Sequence, residues 1–279
     1  MPSHSPSTLL VIAHPGHELR VHNWLETVRP EVWILTDGSG RSGNSRIDST
    51  NRVLEAAGAV PGRLFGTVTD VDLYDNVLNF EHHIFTDAVE DLADTIIQNR
   101  VEVIAGDAEE GYNPAHDICR LIINAAVKLA QTSSASTIQN YDFTLMGSPS
   151  RCPESLRAES LWLELDDSAL TRKLSAAVNY PELRAEVESA VNGVDHEAFR
   201  NDPVLAQLIR TSFGVTEMHD FRTECLRPIN LRHNKYEVPF YELYGERQVQ
   251  AGHYEHVLRY RKHVVPLAEA LDTHVKRNS

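Results

Sequence analysis

Apolar residues along the first half of the chain fall in short runs separated by longer amphipathic stretches. Leu9, Leu10, Val11, Ile12 and Ala13 are apolar without alternation, which suits a strand over 8–13 covered by helices on both faces. The pattern then predicts a helix from about Glu18 to Val28, a strand through "EVWILTD" to Asp37, and the Gly- and Ser-rich loop "GSGRSGNSRIDS". The next helix, "STNRVLEAAG", stops at Gly58, where a glycine commonly ends a helix. "GRLFGTV" reads as a third strand, and "FTDAVEDLADTIIQNR" as a helix with Val89, Leu92, Ile96 and Ile97 on one face. "VEVIAGDA" supplies a fourth strand, and a helix follows from Pro114, a residue suited to a first turn. This alternation predicts an α/β fold: a Rossmann-like, mostly parallel sheet with helices on both faces.

The second half is less regular. "FTLMG" and "SLWLELD" read as strands, 168–177 and 181–191 as helices, and 246–263 as a further helix in a tyrosine-rich stretch. We expect one domain over 1–227 and a helical C-terminal extension over 228–279 packed on it. With 26 basic against 40 acidic residues, the formal charge of −14 disfavours nucleic acid and anionic membrane surfaces. No run reaches the roughly 18 apolar residues a bilayer span needs, and the N-terminus lacks a signal-peptide pattern. Cys119, Cys152 and Cys225 are too few and too spread for a disulfide framework, so a cytoplasmic location is expected. The partner expected is a small-molecule substrate; a homo-oligomer stays open.

The candidate chemistry lies in "LLVIAHPGHELRVHNWLE", which sets His14 and His17 just beyond the first strand, and in His116, just beyond the fourth. Loops leaving the C-terminal ends of parallel strands are where such sheets bind ligands. Three imidazoles there would suit catalytic zinc, which typically takes three protein ligands and leaves a fourth position open. Spacing alone leaves a metal site and a chance pairing both standing, since the chain has 14 histidines and short-spaced pairs such as His82 and His83 arise among them.

The ordered set "VIAHPGHE", "LTDGSG", Arg46 before the second helix, "LEAAGA" and "GYNPAHD" resembles the PIG-L/LmbE-like de-N-acetylases, with their AHPDDE, T-x-G-E-x-G and HPDH motifs. "LELDDSALTRKLSAAVNYPE" and "EMHDFR" extend the resemblance from about Thr8 to Arg227. It implies a Rossmann-like fold, one zinc ion or another divalent ion in its place, ligands His14, His17 and His116, and removal of an acyl group from an N-acylated amino sugar or related polar metabolite. Two positions depart from the family. Its general base falls on Gly16, and its first HPDH histidine on Asn113, which donates a hydrogen bond but supplies no proton.

Replacement bases are sought in "GDAEEGYN", with Glu110 first and Asp107 second as catalytic candidates. Arg46, Arg41, Asn113 and Tyr112 are the substrate-binding candidates. Glu18 reads as a capping or ligand-orienting residue, Asp37 as a turn residue or substrate contact, and Asp70, Asp72 and Asp75 as a solvated loop. His82 and His83 suit a helix start, Cys119 the core, and Tyr236, Tyr241, Tyr244, Tyr254 and Tyr260 packing or a sugar-binding wall. Two alternatives remain: a family member that has lost catalysis and binds a sugar or metabolite, and a zinc hydrolase of an ester or nucleotide-linked bond.

Overall fold

The computed structural model describes residues 7–40, 43–134, 137–184, 187, 202–214, 216–229 and 238–278. Its centre is a seven-stranded sheet in the order β3-β2-β1-β4-β5-β7-β6. The strands are β1 (Thr8–Ile12), β2 (Glu31–Thr36), β3 (Val60–Val68), β4 (Val103–Asp107), β5 (Gln139–Phe143), β6 (Leu161–Glu164) and β7 (Thr223–Pro228). β1 to β5 pair in parallel, and β7 runs antiparallel to both β5 and β6.

Side chains alternate across the sheet and divide the core in two. Leu9, Val11, Trp33 and Leu35 face the side covered by α3 (Asp70–Leu78), α4 (His82–Gln98) and α5 (Pro114–Ser134). Leu10, Ile12, Val32 and Ile34 face the 3-10 turn His17–Val21, α1 (His22–Val28) and α2 (Ile47–Ala57). Each face is closed by helices, so β1 has no polar side to show, as its unbroken apolar run requires. α6 (Asp167–Val178) is fixed by a buried ion pair: Lys173 Nζ lies 2.8 Å from Glu224 Oε1 on β7. Glu224 also accepts the Asn23 and Trp24 N–H groups, satisfying donors at the start of α1 that helical bonding leaves unpaired.

The chain then forms α7 (Pro203–Phe213), α8 (Phe240–Gln250), a short π-helical turn (Tyr260–Val264) and α9 (Val265–Asn278). Leu267, Leu271 and Val275 of α9 join the core cluster of α4 and α5. No helix among the described residues is long and apolar enough to cross a membrane.

Several expectations need correction. The stretch 246–263 is not one helix: α8 ends at Gln250 and helical structure resumes only at Tyr260. Ala251 and Gly252 close α8, with Gly252 at φ 73°. The fifth strand is Gln139–Phe143 rather than "FTLMG", because pairing with β4 ends where Asp107 meets Phe143. Residues 17–21 wind as 3-10 helix before α1 begins. The Asp70–Asp75 stretch is helical, with Thr69 as N-cap accepting from the Asp72 N–H, and Asp70 is buried. Most of the expected helix over 181–191 lies outside the described residues; of the rest, Pro181–Leu183 form a 3-10 turn and Arg184 and Val187 are helical.

Candidate metal and hydrolytic site

The strand order reverses direction between β1 and β4, and the crevice beyond their C-terminal ends is the expected ligand site of such a sheet. The end of β1 is fastened from both sides. Ala13 O accepts the Thr36 N–H of β2 at 2.9 Å, and the Ala13 N–H donates to Asp107 Oδ2 of β4 at 2.7 Å. His14 and His17 leave this fastened point, and His116 enters from the first turn of α5. The His14 ring lies 5.3 Å from both the His17 and His116 rings, which are 4.6 Å from each other, centroid to centroid.

Two of the three rings have a carboxylate behind them. His14 Nδ1 lies 2.8 Å from Thr36 Oγ1 and 3.0 Å from Asp70 Oδ1. Asp70 also accepts from the Thr36 hydroxyl and the Gly40 N–H, both at 2.6 Å. Burial pushes the Asp70 carboxyl up, but hydrogen bonds led by that from His14 hold it well below the usual carboxylate range. His17 Nδ1 lies 2.9 Å from Asp107 Oδ2. An acceptor at Nδ1 favours the proton there and leaves Nε2 as a bare lone pair.

Burial lowers the His17 pKa further than Asp107 raises it, and burial with the two neighbouring histidines holds His116 well below its ordinary value. Both rings are therefore neutral at pH 7, the form that binds a metal. His14 Nε2 and His116 Nδ1 are buried without a hydrogen-bond partner. A buried orphaned nitrogen is costly, and a metal ligand is one way to satisfy it. As the side chains stand, no group of three or more His, Cys, Asp or Glu residues among the described residues is placed so that it could hold a metal ion. The centroid separations of the three histidine rings alone match three imidazoles on one ion, which lie about 5 Å apart with Zn–N bonds of about 2.0–2.1 Å at tetrahedral angles, so closing the site takes a turn of the rings.

Gly16, at φ 105°, takes a conformation that side chains disfavour. A Cβ there would fall 2.3 Å from Leu183 Cδ1 and 3.7 Å from the Tyr180 ring. The position of the family's base is thus occupied by apolar atoms from the turn after α6. Glu18 closes the loop by accepting the Gly16 N–H and the Thr50 hydroxyl, each at 2.7 Å. Its burial raises its pKa to about 7. Thr50 in turn meets the Tyr180 hydroxyl at 2.9 Å, and Tyr180 donates to the Arg46 carbonyl at 3.2 Å.

The other candidates are distributed as follows. Asp107 touches the histidine cluster directly, and its Oδ1 is buried without a partner. Glu110 turns Oε2 to the Leu145 and Met146 N–H groups at 2.9 and 3.2 Å, and burial raises its pKa to about 7. Asn113 caps α5, accepting from the Ala115 N–H at 2.8 Å and the Tyr74 hydroxyl at 3.1 Å. Tyr112 lies 6.2 Å from the His116 ring and stacks on Phe240 at 5.3 Å. Arg46 precedes α2, its Cδ 3.1 Å from where a Gly38 Cβ would sit, and its charge helps to lower the His17 pKa. Arg41 and Tyr236 lie outside the described residues. Asp37 serves a turn, accepting from the Ser39 N–H at 2.9 Å, His82 opens α4, and Cys119 is buried.

Sequence reasoning missed Asp70, Arg120 and Asp117. Arg120 is buried beneath the site and donates to the Asp107 and Tyr141 carbonyls and to Asn140 Oδ1. Asp117 Oδ1 accepts the Glu110 and Gly111 N–H groups, which sets the path of the loop between β4 and α5. The signal for Asp70 was its place two residues after β3, beside the end of β2.

No protein-family model matches the sequence, and no curated protein does. Solved structures with a similar trace include the A40926 pseudoaglycone deacetylase Dbv21, at 16% identity and TM-score 0.46, over 80% of this chain and 97% of that one. The zinc-inhibited form of teicoplanin deacetylase Orf2 is similar at 11% identity and TM-score 0.45, over 82% of this chain and 100% of that one. The conserved protein TT1542 from Thermus thermophilus is similar at 15% identity and TM-score 0.43, over 83% and 100%. At this level of likeness none of them assigns a residue, a metal or a substrate to this chain.

Proposed function

We propose that the chain is a zinc-dependent C–N hydrolase of the PIG-L/LmbE-like kind, removing an acyl group from an N-acylated amino sugar or related small polar metabolite. The observation that carries this reading is the meeting of His14, His17 and His116, from two separate loops, with His14 Nε2 and His116 Nδ1 buried and unpartnered. His14, His17 and His116 would hold the ion. When bound, zinc supplies Lewis acidity toward water and toward the acyl carbonyl.

The protein's own part is orientation and proton handling. Asp70 and Asp107 keep the Nδ1 protons of His14 and His17 in place, so that each ring presents a lone pair. Asp107, already committed to the Ala13 N–H and His17, acts as an orienting carboxylate. Glu110, with a pKa of about 7, is the carboxyl we assign to accept the proton from water and return it to the leaving amine. Tyr112, Asn113 and the arginines Arg46 and Arg41 are assigned to the substrate side.

After chelation, the purified protein should take up one zinc ion per chain, and His14→Ala or His116→Ala should abolish that uptake. Amine release from N-acetylglucosaminyl substrates then reads the hydrolase. Stoichiometric zinc with no turnover on any N-acyl amino sugar would refute the catalytic half and leave a metal-containing binding protein.

A further inference from the structure

The chain just after β5 makes a turn over 144–147 that is gripped from two sides. Its flanking carbonyls face Arg20, which donates from Nε to the Thr144 carbonyl at 3.0 Å and from Nη2 to the Gly147 carbonyl at 2.7 Å. Its inner N–H groups, those of Leu145 and Met146, donate to Glu110 Oε2 at 2.9 and 3.2 Å. Gly147 closes the turn at φ 73°, where a Cβ would run into the Phe213 carbonyl. Arg20 is fastened in its turn. It lies in the 3-10 turn His17–Val21, and its carbonyl accepts from Lys173 Nζ at 2.8 Å, the same ammonium that pairs with the buried Glu224. Arg20 thereby joins the segment that carries His17 to the segment on which Glu110 rests.

We propose that Arg20 is a positioning residue for Glu110, holding the turn over 144–147 so that its inner N–H groups stay aimed at the carboxylate. The proposal rests on the proton-handling role assigned to Glu110 above. A guanidinium suits the task because its planar fork carries several N–H donors in fixed directions, so one side chain meets two carbonyls at once. A lysine would bring a point charge without the fork. A neutral side chain would bring neither.

Arg20 acts on Glu110 by charge as well. Burial lowers the Arg20 pKa to about 10, so it stays a cation at neutral pH. With Arg227 and the two N–H groups it favours the ionised form of Glu110, against the burial that raises the Glu110 pKa to about 7. The acid on the other side is Asp117, which accepts the Glu110 N–H and is itself pushed well above its usual value by burial. Loss of Arg20 removes a cation and frees the turn that supplies the hydrogen bonds, and both changes make Glu110 keep its proton to higher pH.

The test follows the Glu110 carboxyl by carbon-13 NMR across pH in the full-length wild type, Arg20→Gln and Arg20→Lys, with the signal assigned by its loss in Glu110→Gln. The Glu110 midpoint should rise by about one pH unit in Arg20→Gln and by less in Arg20→Lys, which keeps the charge. Amide hydrogen exchange at Leu145 and Met146 should quicken in both variants while the β4 amides keep their rates. Arg20→Lys decides the matter alone if Arg20→Gln does not fold. An unchanged midpoint together with unchanged exchange at Leu145 and Met146 would overturn the proposal, as would exchange that quickens equally at every amide, the mark of a merely structural role. Turnover is read separately: where amine release is found, the acid limb of kcat/KM should rise with the midpoint, and a wild type that releases no amine refutes the hydrolase reading while the carboxyl titration still decides on Arg20.

Discussion

Gly16→Ala isolates the feature that separates this loop from the AHPDDE motif it resembles. The added Cβ would sit 2.3 Å from Leu183 Cδ1, far inside contact distance, and the residue would have to hold φ at 105°. The overlapping atom is the tip of a half-buried leucine, so the overlap costs about 1 kcal/mol, the low end for overpacking, and a side chain in a sparsely populated backbone region costs about 1–3 kcal/mol. Partial relaxation of Leu183 makes a total of about 2–4 kcal/mol reasonable, or on the order of 10 °C in Tm for a chain of this size. The assay is urea denaturation of the wild type, Gly16→Ala, Leu183→Ala and the double variant. Removing the Leu183 side chain relieves the overlap and leaves the backbone cost, so the cycle should show a favourable coupling of about 1 kcal/mol. A Gly16→Ala protein as stable as the wild type, or a coupling near zero, would refute the claim that the space beside Gly16 is filled. The same geometry predicts that Gly16→Asp restores no family-type base: it destabilises the loop without raising amidase activity.

Three other outcomes follow from the contacts described. Asp70→Asn should weaken zinc binding about 10–100-fold in a chelator competition while circular dichroism stays unchanged, because the ring of His14 loses the carboxylate that fixes it; unchanged affinity would remove Asp70 from the site. Lys173→Met should cost about 3–5 kcal/mol in chemical denaturation, since it leaves Glu224 charged and buried beneath α1; a loss below 1 kcal/mol, on the scale of about one surface pair, would count against it. Glu110 binds its proton more tightly folded than unfolded, with a pKa raised from 4.5 to about 7, so it draws stability down as pH rises between those values. Glu110→Gln should flatten that part of the stability–pH curve by about 2–3 kcal/mol, and an unchanged slope would show the carboxyl to be solvated.

Much of the sheet was legible because its strands carry unbroken apolar runs and its helices a clear amphipathic face. β1, β2, β4 and α5 fall where the hydrophobic pattern puts them, and with them the positions of His14, His17 and His116. What escaped has a physical reason in each case. β7 carries a buried acid, Glu224, as its second residue, and its tertiary partners Lys173, Asn23 and Trp24 make it tolerable there. Asp70 sits in an acidic run that reads as surface, yet its partners come from three separate segments, at His14, Thr36 and Gly40. The α8 to α9 region has its polar and aromatic residues spaced so as to satisfy several helical registers, and the break at 251–259 is decided by contacts such as Glu242 with the Tyr260 N–H.

His17 stands where the motif that this loop resembles has an acid, and Asp107 is buried directly beside it. On the proposed reading, a histidine in place of that acid would remove one negative charge from around a bound ion. Here a carboxylate stands directly behind that imidazole, 2.9 Å from Nδ1, and a second stands behind His14. A neutral imidazole with a carboxylate at its back is a more basic ligand than an isolated one, so part of that charge would reach a bound ion through the ring. His116 has no carboxylate among the charges that act on it, and its ring is then the least supported of the three. Metal release on chelation should therefore begin from variants of α5's first turn: Ala115→Gly, which loosens that turn without touching a donor atom, should raise the zinc dissociation rate measurably. An unchanged dissociation rate would mean that His116 is held by something other than the helix that carries it.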